Sequence, residues 1–199
     1  LTSLSLSAQP LSPDRIRELA GRHAQFSIPQ YREFLSLPND AYQPELLEPN
    51  IQWVTNAFTY RGFEVERLPT GGIDLVLAEK TQEDATRTVL FYVQVDGQPV
   101  DPTKWEQPTP FTPVMKARND AGEWEPVSWA SLKAELEPDW RIFARSASDA
   151  KGPINMFLAA FDAIKEAGVE PGYHIKVIMD CEEEIGSPHL PAAVEKYRD

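Results

Sequence analysis

The amino-acid sequence predicts an α/β fold in which a mostly parallel central sheet is flanked by helices. Strand-like and helical patterns alternate in the last third of the chain, over residues 141–144, 153–167, 174–179 and 188–197. Such alternation is typical of parallel strands that are joined by right-handed helical crossovers. Residues 88–95 are almost continuously apolar, which predicts a central strand that is buried on both of its faces.

Helices are predicted for most of residues 12–62. The Ser-Pro-Asp sequence at residues 12–14 is typical of a helix start, and we expect this helix to end near Ala24. A second, short helix is predicted over residues 29–37. Residues 44–61 carry apolar side chains at a spacing of three to four and are followed by Gly62, which predicts an amphipathic helix.

The middle of the chain is predicted to contain strands and an irregular insertion. Two strands, over residues 63–68 and 73–78, flank a Thr-Gly-Gly turn. Residues 101–140 contain four of the five tryptophans, and we expect an ordered insertion that these aromatic side chains hold in place, since long irregular segments inside a domain are uncommon. One hairpin is predicted within it, over residues 114–127, with its turn at residues 119–122.

Composition excludes several classes of protein. The chain has 199 residues, enough for one domain with a core, and a formal net charge of −12. This acidity argues against nucleic acid and against an anionic membrane surface as partners, because both attract basic faces. No apolar run reaches the roughly 18 residues of a membrane span. The single cysteine, Cys181, excludes an internal disulfide framework and cysteine-rich zinc modules.

Residues 1–11 differ from the rest of the chain, since they are largely apolar or serine. Two interpretations stay open: a disordered end, or the remnant of an export signal. The second predicts an extracytoplasmic location such as the periplasm, and a cytoplasmic location is the alternative.

Polar groups follow three of the predicted strands. Gln94 and Asp96 lie at the end of the first strand, Asp149 follows the second, and three glutamates at residues 182–184 follow the third. Because ligands of open α/β sheets bind outside the carboxyl ends of the strands, we expect these groups to meet at one edge. Together they would supply the oxygen ligands and the base that metal-assisted hydrolysis requires.

Each of these signals also has a more ordinary interpretation. A single Asp after a strand is more often a turn or helix cap, and a run of glutamates is more often a solvated surface. The run at residues 182–184 nevertheless follows an apolar strand closely and precedes Ile-Gly-Ser. Three adjacent carboxylates repel each other unless a cation neutralises them, so the run favours a metal.

Taken together, three segments resemble a known family. Residues 90–102 (LFYVQVDGQPVDP), 147–153 (ASDAKGP) and 182–187 (EEEIGS) are similar to motifs of the metallopeptidase family of carnosine dipeptidase, aminoacylase and succinyl-diaminopimelate desuccinylase. Trp105 also lies where the dipeptidase branch has a Trp. The resemblance identifies residues 12–199 as the N-terminal segment of a zinc-peptidase-like catalytic domain, without the lid domain that interrupts it.

The resemblance implies a role for each site residue. Asp149 corresponds to the carboxylate that bridges two metals, Glu184 to a terminal ligand of one metal, and Glu183 to the general base that activates the attacking water. Asp96 corresponds to the catalytic-site carboxylate that orients the first metal ligand. The implied cofactors are two zinc ions, with manganese or cobalt as alternatives. The implied reaction is hydrolysis of the amide bond of a small dipeptide or N-acyl amino acid.

Gln94 is the main departure from the family pattern. The family has a histidine at this position, whereas a glutamine amide oxygen is a poor zinc ligand that suits harder cations better. Gln94 is therefore a doubtful metal ligand in place of the histidine. The alternative function is that of a catalytically silent relative that binds peptides or acts as a scaffold.

The family pattern also places other parts of the site beyond residue 199. The resemblance implies a further acidic ligand, a late histidine ligand and a dimerising lid domain there. We therefore expect this segment alone to be inactive and its metal sites to be empty, and the longer protein to be a homodimer. His23, His174 and His189 are not expected to replace the further ligands.

Overall fold

The computed structural model of the protein describes residues 11–134 and 136–198. The two interpretations of residues 1–11 therefore concern a segment that lies, except for Leu11, outside the described residues. No helix in these two ranges combines the length and the apolar character that crossing a membrane requires.

The described residues form helices and strands in the order of an α/β protein, so the predicted fold class is confirmed. The helices are α1 (Pro13–Leu35), α2 (Leu47–Tyr60), α3 (Lys151–Glu166) and α4 (Leu190–Tyr197). The strands are β1 (Glu64–Leu68), β2 (Leu75–Lys80), β3 (Thr88–Gln94), β4 (Val114–Arg118), β5 (Trp124–Pro126), β6 (Arg141–Phe143) and β7 (His174–Asp180).

Helix α1 is continuous where the sequence predicts two helices. Its start is as predicted, since the Ser12 hydroxyl accepts a hydrogen bond from the Arg15 amide at 3.2 Å. Pro29 lies inside the helix, although a proline there removes one helical hydrogen bond. Ile28 and Tyr31 are buried on either side of it. We attribute the continuous helix to this packing, because burying large apolar side chains stabilises by about 1.5–3 kcal/mol each.

The main sheet is mixed rather than mostly parallel. Its strand order in the part of the chain that the structure describes is β1-β2-β7-β3, and of these pairings only β3–β7 is parallel. The pairings β1–β2 and β2–β7 are antiparallel, because the predicted Thr-Gly-Gly turn closes a hairpin whose second strand lies beside β7. Strand β6 does not join this sheet, since it pairs with β4 in a second sheet of order β5-β4-β6.

Strand β3 corrects the prediction of a strand that is buried on both faces. Within the described residues it pairs with β7 alone, so it lies at an edge of the sheet. Phe91 packs against Phe157 of α3, with ring centroids 5.0 Å apart. Leu90 and Tyr92 face the other way and are 57% and 48% exposed. Composition alone does not distinguish a central strand from an edge strand that is covered on one face.

The insertion is ordered by its aromatic residues, as predicted. Strands β4 and β5 form the predicted hairpin, whose turn includes Gly122 at a φ of 82°. A small core of Ile28, Met115 and Leu132 is surrounded by Trp129 and Trp140. This core joins the insertion to α1, which carries Ile28.

The principal core lies between the main sheet and the helices α1, α2 and α3. Phe34 and Trp53 stack with ring centroids 3.9 Å apart, and Phe58, Phe63 and Phe157 pack together nearby. Because this core fixes α3 against β3, it also fixes the polar segments at the ends of these elements.

Candidate active site

The parallel pairing of β3 and β7 brings two of the predicted clusters together. Gln94 is the last residue of β3 and lies opposite Asp180, the last residue of β7. Both strands therefore end at the same edge of the sheet, where Asp96 and the glutamates of residues 182–184 follow. The predicted meeting of these two clusters is thus present in the structure.

Asp180 anchors the turn that carries the glutamates. Its Oδ1 accepts a hydrogen bond from the Glu182 amide at 3.0 Å, and its Oδ2 accepts from the Ser187 hydroxyl at 2.6 Å. The Tyr92 hydroxyl of β3 also donates to Oδ2, at 2.9 Å. Asp180 is buried, so this carboxylate connects both ends of the turn to β3.

Asp96 anchors the middle of the same turn. Its Oδ2 accepts a hydrogen bond from the Glu184 amide at 2.9 Å. Its Oδ1 is buried and has no hydrogen-bond partner among the described residues. Burial raises the pKa of Asp96 to about 7. The described hydrogen bonds of Asp96 thus orient the Glu184 backbone and not the Gln94 side chain.

Two glutamine side chains hold the Glu184 carboxylate. Gln94 Nε2 donates to Glu184 Oε1 at 3.3 Å, and Gln98 Nε2 donates to Glu184 Oε2 at 2.9 Å. Gln94 therefore contacts Glu184 through its nitrogen, whereas only the amide oxygen is a metal ligand.

Glu183 lies near other carboxylates, whose negative charges affect its pKa. Burial raises the pKa of Glu183, and the charges of Glu184 and Asp149 raise it further. Asp149 is thus close enough to interact electrostatically with the turn. A carboxylate whose pKa is raised is better suited to take up a proton, as a general base must.

Asp149 is exposed and lies on the segment between β6 and α3. Asn39 ties this segment to the end of β3, because its Nδ2 donates to the Val95 carbonyl at 2.8 Å and its Oδ1 accepts from the Ser146 hydroxyl at 3.1 Å. The Lys151 amide then bonds the Ser146 carbonyl at 3.0 Å. These bonds explain how a segment that follows a strand of the second sheet lies beside the end of β3.

Glu182 and His189 form a pair beside the turn. His189 Nδ1 and Glu182 Oε2 are 2.7 Å apart. The His189 ring is thus engaged with the Glu182 carboxylate. His23 contacts Glu166, and His174 accepts a hydrogen bond from the Gln82 amide, so both are also engaged in structural contacts.

The donor set fits part of a divalent cation site. The carboxylates of Asp149, Glu183 and Glu184 concentrate negative charge that a cation would relieve, and carboxylate oxygens suit hard divalent ions. Within residues 11–134 and 136–198, however, no three His, Cys, Asp or Glu side chains form a group that could hold a metal ion. The described residues therefore do not by themselves form a metal centre, whereas their carboxylate oxygens are of the kind that divalent cations bind.

Three residues of this region were missed by the sequence analysis as parts of a site. Asp180 lies two residues before the glutamates of residues 182–184, and its position between an apolar strand and Cys181 was the available signal. Asn39 and Ser146 carry no such signal, because their hydrogen bond joins loops that are far apart in the sequence.

The part of the chain that contains the candidate site matches a known protein family. A family model described as Peptidase family M20/M25/M40 matches residues 90–198, more than half of the chain. The matched range includes all three polar clusters.

Two curated relatives extend the match toward the N-terminus. The Cys-Gly metallodipeptidase dug1 of Schizosaccharomyces pombe is 24% identical over 205 residues, covering 94% of this chain and 38% of that protein. The cysteinylglycine-S-conjugate dipeptidase of Corynebacterium striatum is 27% identical over 185 residues, covering 88% of this chain and 32% of that protein. The chain therefore spans about a third of the length of these relatives.

A solved structure shows the same fold. The crystal structure of human carnosine dipeptidase 1 matches with a TM-score of 0.70 at 20% sequence identity, over 94% of this chain and 38% of that one.

Proposed function

This chain belongs to peptidase family M20/M25/M40, and on that premise we propose that the protein is a metal-dependent hydrolase that cleaves the amide bond of a dipeptide or an N-acyl amino acid. The names of the relatives favour the dipeptide, since both are described as dipeptidases.

One observation carries the proposal: Glu183 and Glu184 lie on the turn that follows β7, and Asp149, on the segment before α3, is near enough for its charge to raise the pKa of Glu183. In the proposed site, Asp149 and Glu184 hold the cation and Glu183 acts as the base. Asp96 and Asp180 position the turn on which Glu183 and Glu184 lie.

The proposed chemistry divides between the cation and the carboxylates. When bound, a divalent cation polarises the amide carbonyl and lowers the pKa of water. Glu183 takes the proton from the attacking water and passes it to the leaving amine. Its raised pKa suits both steps, because the carboxylate must hold the proton between them.

Metal identity, assembly and location are finer parts of the proposal. Two zinc ions are implied by the family resemblance, and manganese or cobalt are alternatives that the oxygen donors of this chain accommodate well. Homodimerisation through a lid domain is proposed on the family resemblance. An extracytoplasmic location is proposed on the composition of residues 1–11.

The test is hydrolysis of Cys-Gly and β-Ala-His by the full-length protein after loading with zinc or manganese. Glu183→Gln removes the base while keeping the side-chain shape, so we expect kcat to fall by about 10²–10⁴-fold with an unchanged metal content. Glu195→Gln is the matched control, since Glu195 is exposed on α4 and pairs only with Arg198 among the described salt bridges. Equal activity of the Glu183→Gln and wild-type proteins would contradict the proposed role.

The non-catalytic alternative has a distinct signature in the same experiment. A silent relative would bind dipeptides without cleaving them, with or without metal. The names of the relatives favour the hydrolase over this alternative, because they describe enzymes.

A further inference from the structure

Glu184 is held on both of its carboxylate oxygens by amide nitrogens. Gln94 Nε2 lies 3.3 Å from Oε1, and Gln98 Nε2 lies 2.9 Å from Oε2. We call Gln94 and Gln98 the amide clamp. The Glu184 backbone is fixed at the same time, because its amide donates to Asp96.

The direction of the Gln94 amide follows from hydrogen-bond chemistry. An ionised carboxylate only accepts hydrogen bonds, whereas a glutamine amide donates through its nitrogen and accepts through its oxygen. The nitrogen must therefore be the end that faces Glu184. The amide oxygen, which is the only metal-ligating atom of the group, points away from that carboxylate.

The clamp leaves Glu184 able to bind a cation. Each carboxylate oxygen has two lone-pair positions, and the clamp uses one on each oxygen. Hydrogen bonds to a ligating carboxylate fix its orientation, and their loss typically costs 10–100-fold in metal affinity.

We propose that Gln94 is a positioning residue and not a metal ligand, an inference that rests on the proposed function. Together with Gln98, Gln94 orients the Glu184 carboxylate for a cation that Asp149 and Glu184 hold. The histidine of the family pattern is thus replaced by a hydrogen-bond donor that acts through Glu184. The number of ions bound does not depend on Gln94, whereas the affinity depends on both glutamines.

The test is calorimetric titration of the metal-free full-length protein with manganese and with zinc, which gives ion number and affinity separately. Gln94→Met and Gln98→Met keep the side-chain length but remove the amide. We expect each to weaken binding by about 10–100-fold with the same number of ions per chain as the wild type. Gln52→Met is the matched control, because exposed Gln52 bonds Asn56 on α2, away from the site.

Two results would overturn the inference. Loss of one ion per chain in Gln94→Met but not in Gln98→Met would make Gln94 a ligand. An unchanged metal affinity in both variants would remove the positioning role. If Gln94→Met does not fold, Gln94→Asn withdraws the amide from Glu184 and is subject to the same criteria. A wild-type protein that binds neither ion would instead overturn the proposed function, and with it the premise of the clamp.

Discussion

The ammonium group of Lys151 lies 4.5 Å from the ring centroid of Phe34 and donates a hydrogen bond to the Phe34 carbonyl at 2.8 Å. A second hydrogen bond reaches the Leu37 carbonyl at 2.6 Å. The carbonyls at the end of a helix lack partners within the helix, and Lys151 supplies a donor at the end of α1. Because Lys151 also begins α3, these bonds connect α1 to the segment that carries Asp149.

The buried lysine predicts a pH-dependent stability of the metal-free protein. Burial lowers the pKa of Lys151 well below 10.5. Between this lowered pKa and 10.5, the unfolded chain binds more protons at Lys151 than the folded chain does. The contribution of Lys151 to the free energy of unfolding therefore increases as pH rises, by up to about 1.4 kcal/mol per pH unit. Lys151→Met removes this gain, and the stability difference between wild type and variant should grow with pH in urea unfolding experiments.

The matched control is Lys165→Met, which removes an exposed ammonium group from the end of α3. Its stability difference from the wild type should change less with pH than that of Lys151→Met, because the Lys165 side chain is exposed to solvent. A constant difference for Lys151→Met would contradict the assigned effect of burial.

Gly72 is predicted to be intolerant of a side chain. A Cβ atom there would lie 2.5 Å from Nδ1 and 2.6 Å from Cε1 of His189, and it would also contact Glu182 Oε1. Gly72→Ala must therefore displace the Glu182–His189 pair, and we expect a loss of about 1–3 kcal/mol in thermal unfolding. Gly172→Ala is the control, since no described residue other than its chain neighbours lies within 4 Å of its added Cβ. Equal stability of the two variants would show that the pair moves without cost.

Periodic patterns allowed the fold class and most elements to be predicted from the sequence. The Ser12 cap, the β4–β5 hairpin and the order of the elements depend on local residues, which act over a few positions. The continuous α1 and the edge position of β3 were not predictable in this way. They depend on what packs around Pro29 and on which strand lies beside Leu90, and neither is a local property.

The candidate site shows the same limit. Strand-end positions predicted that Asp96, Glu183 and Glu184 meet, because parallel strands end at the same edge. The role of Gln94 was predicted from the family pattern as a weakened ligand, while the direction of its amide depends on the contact with Glu184. The roles proposed for Asp149, Glu183 and Glu184 stay predictions until metal binding and hydrolysis are measured.

Asp180 is predicted to control the order of the turn that carries the glutamates. Asp180→Asn replaces one accepting oxygen by a donor, so at least one of the groups that bond it loses its acceptor. Because hydrogen bonds to a charged group contribute about 1.5–3 kcal/mol, we expect faster hydrogen exchange at the Glu182 and Glu184 amides, measured by mass spectrometry. Asp120→Asn, in the exposed turn of the β4–β5 hairpin, should leave exchange in the turn unchanged. Unchanged exchange in Asp180→Asn would mean that Asp96 alone orders it.

Asp96 predicts a stability change of the opposite sign to that of Lys151. Its pKa is raised from 3.8 to about 7 by burial, so in this range the folded metal-free protein binds more protons than the unfolded chain. Its stability therefore falls as pH rises from about 4 to about 7, by up to about 4 kcal/mol, since each unit of pKa corresponds to about 1.4 kcal/mol. Asp96→Asn keeps an oxygen that accepts from the Glu184 amide but carries no charge. The variant should match the wild type near the lower pH and exceed it in stability above the upper one, in urea unfolding with a chelator present. A stability difference that does not vary with pH would mean that Asp96 stays ionised in the folded protein. A group other than those described would then have to offset the cost of burying its Oδ1, which has no hydrogen-bond partner among the described residues.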